Sequence, residues 1–233
     1  MDAEQHAWVS RLRGRFIAFE GADGCGKSTQ LKRLEALCER AGVAVTLVRE
    51  PGGTPIGERI RDILLAKTSE GMTLRCEMLL YMASRSQLVE AVIRPALARG
   101  DLVIADRFLA STYAYQGAGG GLPEAEIDAA ASIAVGVTRP EVNLIYDIDP
   151  QTAARRAGIL TTVGKGGRKG EAGVSLFADR MESKGDAFHR KVREGYLALA
   201  KRDPARHLVI DASGDPEAVW MLTLAGLKEW LKA

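Results

Sequence analysis

The segment Gly21-Ala22-Asp23-Gly24-Cys25-Gly26-Lys27-Ser28 follows the apolar run Phe16 to Phe19 and precedes a helical pattern of Leu31, Leu34, Leu37 and Cys38. The order strand, GxxxxGK[ST], helix constrains the fold more than any other feature of the chain. It needs a sheet strand that hands over to a helix N-terminus, with glycines letting consecutive N–H groups turn inward on a phosphate. The expected cradle for a nucleoside triphosphate is Gly21 to Gly26 with Lys27, Ser28 and Thr29. Lys27 would reach the outer phosphates, and the Ser28 hydroxyl would hold a Mg²⁺ that bridges them. Cys25, inside the loop, reads as a small residue filling a small space.

Further short apolar runs occur at Val43 to Val48, Leu102 to Ala105, Val142 to Ile148 and Leu208 to Ile210. Helical patterns lie between them, near 27–41, 56–66, a long stretch of 73–99, 123–135, a segment ending near Lys201, and 216–231. This alternation predicts an α/β fold with a parallel sheet covered by helices on both faces. Ligands in such sheets collect at the carboxyl ends of the strands, which here carry Glu20, Arg49-Glu50, Asp106-Arg107 and Asp147 to Asp149.

No run of about 18 apolar residues is present to span a membrane, and a net charge of +2 gives no cationic surface for nucleic acid. Three cysteines without CxxC spacing suit a reducing cytoplasm and offer no metal site. Residues 1–14 lack the apolar core of a signal peptide and read as an N-terminal extension to a single domain over 15–233. A glycine- and lysine-rich stretch, Gly164 to Gly173, is expected to be mobile, and Arg155-Arg156, Arg168-Lys169 and Asp179-Arg180 bracket it. Cations on such a piece suit a lid over a triphosphate.

Asp106-Arg107 closes the run at Leu102 to Ala105, placing a carboxylate for a metal-bound water beside a guanidinium for phosphate. Arg49, ahead of the sharp turn Glu50-Pro51-Gly52-Gly53-Thr54-Pro55, is a second phosphate-facing cation. Tyr81 and Arg85 share a helix face at i,i+4, a pair that can stack on a nucleobase and bond its carbonyl. His6, His189 and His207 lie away from every motif in sequence, so no histidine stands out as a general base. A phosphate monoester, whose second pKa is about 6, needs none to become a nucleophile. The sequence therefore favours a nucleotide as acceptor.

Together these segments resemble the thymidylate kinase family. The pieces that carry the resemblance are Phe19-Glu20-Gly21 through Ser28-Thr29-Gln30, Arg49-Glu50-Pro51-Gly52-Gly53-Thr54, Asp106-Arg107-Phe108 with Ser111, Tyr115 and Gln116, and Asp179-Arg180-Met181-Glu182. The resemblance implies a P-loop nucleoside-triphosphate-hydrolase fold with a five-stranded parallel core, a lid over about 153–182, a cytoplasmic homodimer, and transfer of the γ-phosphate of ATP to dTMP. Asp23 would then contact the sugar and phosphate region of dTMP, and Arg49 and Arg107 its phosphate. Tyr81 would stack on thymine where the family usually has phenylalanine, and Arg85 would bond the base. Ser111 falls within the same segment, Tyr115 would lie against the deoxyribose, and Gln116 near the base. Ser28 and Asp106 would hold the metal. Lys27 and Arg107 would be catalytic together with a lid arginine, because Gly24 stands where part of the family has an arginine in the loop. An insertion around 158–175 leaves that lid cation open among Arg155, Arg156, Arg168 and Arg180, with Arg155 and Arg156 favoured. A kinase for another deoxynucleotide and a nucleotide-dependent switch without an acceptor are the competing readings.

Overall fold

The computed structural model describes residues 3–66, 69, 71–163 and 185–232. Five parallel strands form one sheet: β1 (Phe16–Gly21), β2 (Val45–Arg49), β3 (Leu102–Asp106), β4 (Val142–Asp147) and β5 (His207–Asp211), in the spatial order β2-β3-β1-β4-β5. The expected α/β architecture with helices on both faces is observed. Connections from β1 run to one side through β2 and β3 and then to the other through β4 and β5. The order therefore reverses at β1, and ligands bind in the crevice that such a reversal opens.

Side-chain alternation along β1 divides the core. Ile17 and Phe19 pack with helices α1 (Ala3–Ser10), α2 (Lys27–Arg40) and, at the C-terminus, Pro216–Trp230, through Val9, Leu34, Cys38, Val219 and Leu227. Phe16 and Ala18 point to the opposite face, against Met78, Met82, Leu88, Ile93 and Ile127. Within the expected N-terminal extension, Val9 and Leu12 are fully buried against the domain. Among the described residues, no helix is long and apolar enough to cross a membrane.

Helix α3 (Pro55–Leu65) starts at Thr54, whose side chain accepts from Gly57 N–H, and has proline in its first turn. The long helix expected over 73–99 is divided into α4 (Leu74–Leu88), a π-helical segment Val89–Ile93, and α5 (Arg94–Ala98). Pro95 has no N–H to return to the preceding turn, and the ladder widens just before it. Beyond β3, a short helix α6 (Leu109–Thr112) passes into a second π-helical segment, Tyr113–Gly119, which carries Tyr115 and Gln116. Then come α7 (Glu124–Val135), α8 (Pro150–Val163), α9 (Asp186–Arg202) and α10, the helix Pro216–Trp230. Helix α9 packs closely on the second π segment: a Cβ on Gly195 would lie 2.6 Å from that of Ala118.

Candidate active site

The phosphate loop leaves the carboxyl end of β1 at the reversal point. Gly26 precedes α2 in the left-handed region and no side chain caps the helix, so its first N–H groups are left for an anion. Gly24 has φ +81°, and a Cβ there would sit 2.2 Å from the Ala153 carbonyl oxygen. A side chain at this position, a loop arginine included, would require the backbone of α8 to shift. Lys27 is folded over the loop and donates to the carbonyls of Gly21 and Ala22, each at 3.0 Å. Cys25 is buried in the core cluster, which fits its reading as a space-filler.

Beside the loop, Arg107 follows β3 with φ 71°, an uncommon conformation for a residue with a side chain and one that concentrates at functional sites. Its guanidinium donates to Asp23 at 2.7 Å, Ser111 at 3.2 Å and the Tyr196 hydroxyl at 3.3 Å, and lies over the Tyr115 ring. Burial opposes ionisation of Asp23, yet Arg107 and then Lys27 hold its carboxyl below the usual range. Beneath this layer, the buried Glu20 accepts from Phe108 N–H at 2.8 Å, Ser111 Oγ at 2.6 Å and Tyr196 O–H at 3.1 Å. Burial raises its pKa despite those bonds.

A narrow pocket of 20 Å³ lies next to Arg107, lined by Glu50, Tyr81, Arg85, Thr112, Tyr115 and Gln116 among others. It brings together the residues expected around the base. Arg85, 1% exposed, gives Nε to Glu50 at 2.7 Å, Nη1 to Thr112 Oγ1 at 3.1 Å and to the Met82 sulfur at 3.3 Å, and Nη2 to the Phe108 carbonyl at 3.2 Å. Its Nη2 also stands 2.6 Å from Glu50 Oε2, completing a buried ion pair. Arg85 is thus built into the wall, and a base carbonyl would take its place most readily at the thioether, the weakest acceptor in the set. Tyr81 is buried with the Arg61 charge nearby. Gln116 donates Nε2 to Glu77 Oε1 at 2.7 Å.

Arg49 stands on the other side of β3. Its Nη2 meets both oxygens of Glu58 at 2.9 Å, and it shares a 710 Å³ cavity with Ser28 and Asp106. The two arginines expected on the acceptor phosphate therefore line separate cavities. Of the two favoured lid arginines, Arg156 is committed elsewhere: it donates to the carbonyls of Ala212 and Ser213 at 2.7 Å and of Gly214 at 3.1 Å, tying α8 to the loop after β5. Arg155 is exposed and, among the described residues, bonds the Thr152 hydroxyl, at 2.8 Å, one turn back on its own helix. Arg168 and Arg180, with most of the expected lid, lie outside the described residues.

Between the loop, α8 and α9 is a 310 Å³ cavity that includes Asp23, Tyr115, Asp147, His189, Arg193 and Tyr196. His189, remote from every motif along the chain, is thus brought beside the loop by α9. Arg193 grips Asp147 with two bonds of 2.6 and 2.7 Å, fastening α9 to the end of β4. Sequence reasoning missed Tyr196, Glu77 and Thr112. Only Glu77 carried a signal: it precedes Tyr81 by four positions and so shares its helix face.

A phosphate loop at the reversal of a parallel sheet, facing a second cationic pocket across Asp23 and Arg107, is the layout of a P-loop nucleotide kinase. The family model for thymidylate kinase matches residues 19–221. The chain is 42% identical over 221 residues to the thymidylate kinase of Caldanaerobacter subterraneus subsp. tengcongensis, covering 95% of this chain and 98% of that one. It is 44% identical over 202 residues to that of Pseudomonas fluorescens, covering 87% and 89%. The crystal structure of thymidylate kinase from Ehrlichia chaffeensis superposes with a TM-score of 0.69 at 31% identity, over 93% of this chain and 98% of that one. The chain belongs to the thymidylate kinase family.

Proposed function

We infer that this chain transfers the γ-phosphate of ATP to the 5′-phosphate of dTMP, giving dTDP and ADP. The observation that carries this reading is the 2.7 Å contact between Asp23 of the phosphate loop and Arg107 of the neighbouring pocket, which supports an ATP site and an acceptor site side by side. Lys27 exchanges its loop carbonyls for phosphate oxygens when the triphosphate enters. Arg107, held in one orientation by Asp23, Ser111 and Tyr196, presents its fork to the acceptor phosphate, and Arg49 approaches it from the opposite side. The acceptor is already an anion, so the protein's work is positioning and charge stabilisation rather than proton removal.

Among the described residues, no cluster of three or more His, Cys, Asp or Glu could hold a metal alone. Ser28 and Asp106 line one cavity and offer hard oxygen donors, which fits a Mg²⁺ that takes its other ligands from phosphate and water. Bound there, the ion would neutralise charge on the phosphates. The lid cation falls to Arg155 or to a residue beyond the described part of the lid, since Arg156 is engaged as a tie.

The base enters the pocket of Tyr81, Arg85, Tyr115 and Gln116, which must widen to admit it. Competition among dTMP, dUMP, dCMP and dGMP tests the thymine reading, and equal turnover of dCMP would overturn it.

The homodimer rests on an apolar face. Ile56 and Ile63 are seven residues apart on α3 and 53% and 49% exposed, and Leu79 of the adjoining α4 is 56% exposed. Sedimentation should find a dimer for the native chain and a folded monomer for Ile63→Glu. A native chain that sediments as a monomer at micromolar concentration would remove the dimer from the account.

A further inference from the structure

We propose that Glu77 is a specificity-determining positioning residue: by fixing the Gln116 side-chain amide in one orientation, it makes the pocket select a pyrimidine that carries N–H at N3 over one that does not. This inference rests on the proposed reading of the pocket as a pyrimidine-nucleotide site.

An ionised carboxylate has acceptors only, whereas a glutamine amide has two donors on one end and an acceptor on the other. Glu77 Oε1 lies 2.7 Å from the Gln116 amide, so the NH₂ end must face it. Both residues are 3% exposed, so the bond is shielded from bulk solvent. Glu77 sits on α4 and Gln116 on the second π-helical segment, so the pairing is made by the fold and not by local sequence. With its NH₂ end turned to Glu77 through one of its two N–H groups, Gln116 turns its carbonyl oxygen away from Glu77, as the acceptor it can offer the pocket it lines with Tyr81, Arg85 and Tyr115.

Arg85 has donors only, and the Nη1–H now on the Met82 sulfur is the one it gives up most readily to a base carbonyl. The polar wall therefore combines a fixed acceptor with a fixed donor, the complement of an N3–H beside a C4 carbonyl. Thymine and uracil present that edge. Cytosine presents the reverse, a bare N3 acceptor beside a C4 amine, and meets acceptor with acceptor and donor with donor. A site built on buried polar groups rejects such a mismatch strongly because the groups are left unpaired. Without Glu77 the amide can turn over and offer its NH₂ to a cytosine N3.

The test compares Glu77→Met and Glu77→Leu, neither of which offers the Gln116 amide an oxygen acceptor, by kcat/KM for dTMP, dUMP and dCMP at saturating ATP. In both variants the dTMP/dCMP ratio should fall by about 10- to 100-fold. The dTMP/dUMP ratio should stay within about twofold, because those two bases share the edge being read. A general loosening of the pocket would move both ratios or neither. Unchanged dTMP/dCMP discrimination in a folded variant would overturn the role of Glu77. Failure of the native enzyme to use dTMP or dUMP at all would instead overturn the proposed substrate.

Discussion

Lys27→Ala is expected to lower kcat by about 10³-fold or more, the loss typical of removing a cation from the charge that develops in phosphoryl transfer. The fold should survive the change. Although Lys27 is only 6% exposed, its ammonium bonds two backbone carbonyls and the Cys25 sulfur of its own loop, and among the described residues it has no salt bridge to the core. Removing it leaves those carbonyls to water and costs about 1 kcal/mol by the net value of a hydrogen bond. Single-turnover kinetics and a thermal melt on the same preparation check both halves. Turnover within tenfold of the native enzyme would mean that the loop does not carry the transferred phosphate.

Arg85→Ala should have a large effect of a different kind. As a base contact alone, Arg85 could be removed with loss of dTMP affinity only. The structure adds the buried partner Glu50, 3% exposed at its side chain and with Oε1 lacking a hydrogen-bond partner among the described residues. Breaking such a pair by deleting one member typically costs about 3–5 kcal/mol. Burial pushes the Glu50 carboxyl up to about 7, against the pull of Arg85. A raised carboxyl contributes stability fully below its unfolded value of 4.5 and loses that contribution as pH rises through about 7. Without Arg85 the carboxyl rises further, so the variant keeps losing stability above pH 7 where the native chain has levelled off. Urea denaturation should therefore show a wider gap between native and Arg85→Ala at pH 8 than at pH 6. The double variant Glu50→Gln with Arg85→Met should recover most of the stability and still bind dTMP poorly. A single variant as stable as the native chain at pH 8 would contradict the buried pair.

What the sequence disclosed followed from contacts short in range. The phosphate loop is one continuous motif, Gly21 to Ser28, joining a strand to a helix, and the five apolar runs became the five strands with ends moved by one or two residues. Arg107 and Asp106 were found because a strand end is a local address. The supporting layer was hidden for the opposite reason: Tyr196 meets Glu20 across 176 positions and Gln116 meets Glu77 across 39, and nothing in either neighbourhood marks the pairing. The π-helical turns that aim Tyr115 and Gln116 were equally invisible, since apolar spacing does not distinguish one extra residue in a turn. Arg156 shows the limit of reading chemistry from residue type. Its position next to Arg155 gave them equal claims on the lid, and only the carbonyls of Ala212, Ser213 and Gly214 separate them.

The central claim, that two nucleotide sites meet at Asp23 and Arg107, is tested most directly by coupled measurement of ADP release with ATP and Mg²⁺, with and without dTMP. The account requires release that depends on dTMP and saturates with it. Release at the same rate without dTMP, or none with any deoxynucleotide, would contradict it and leave the pocket around Arg85 without an acceptor to hold.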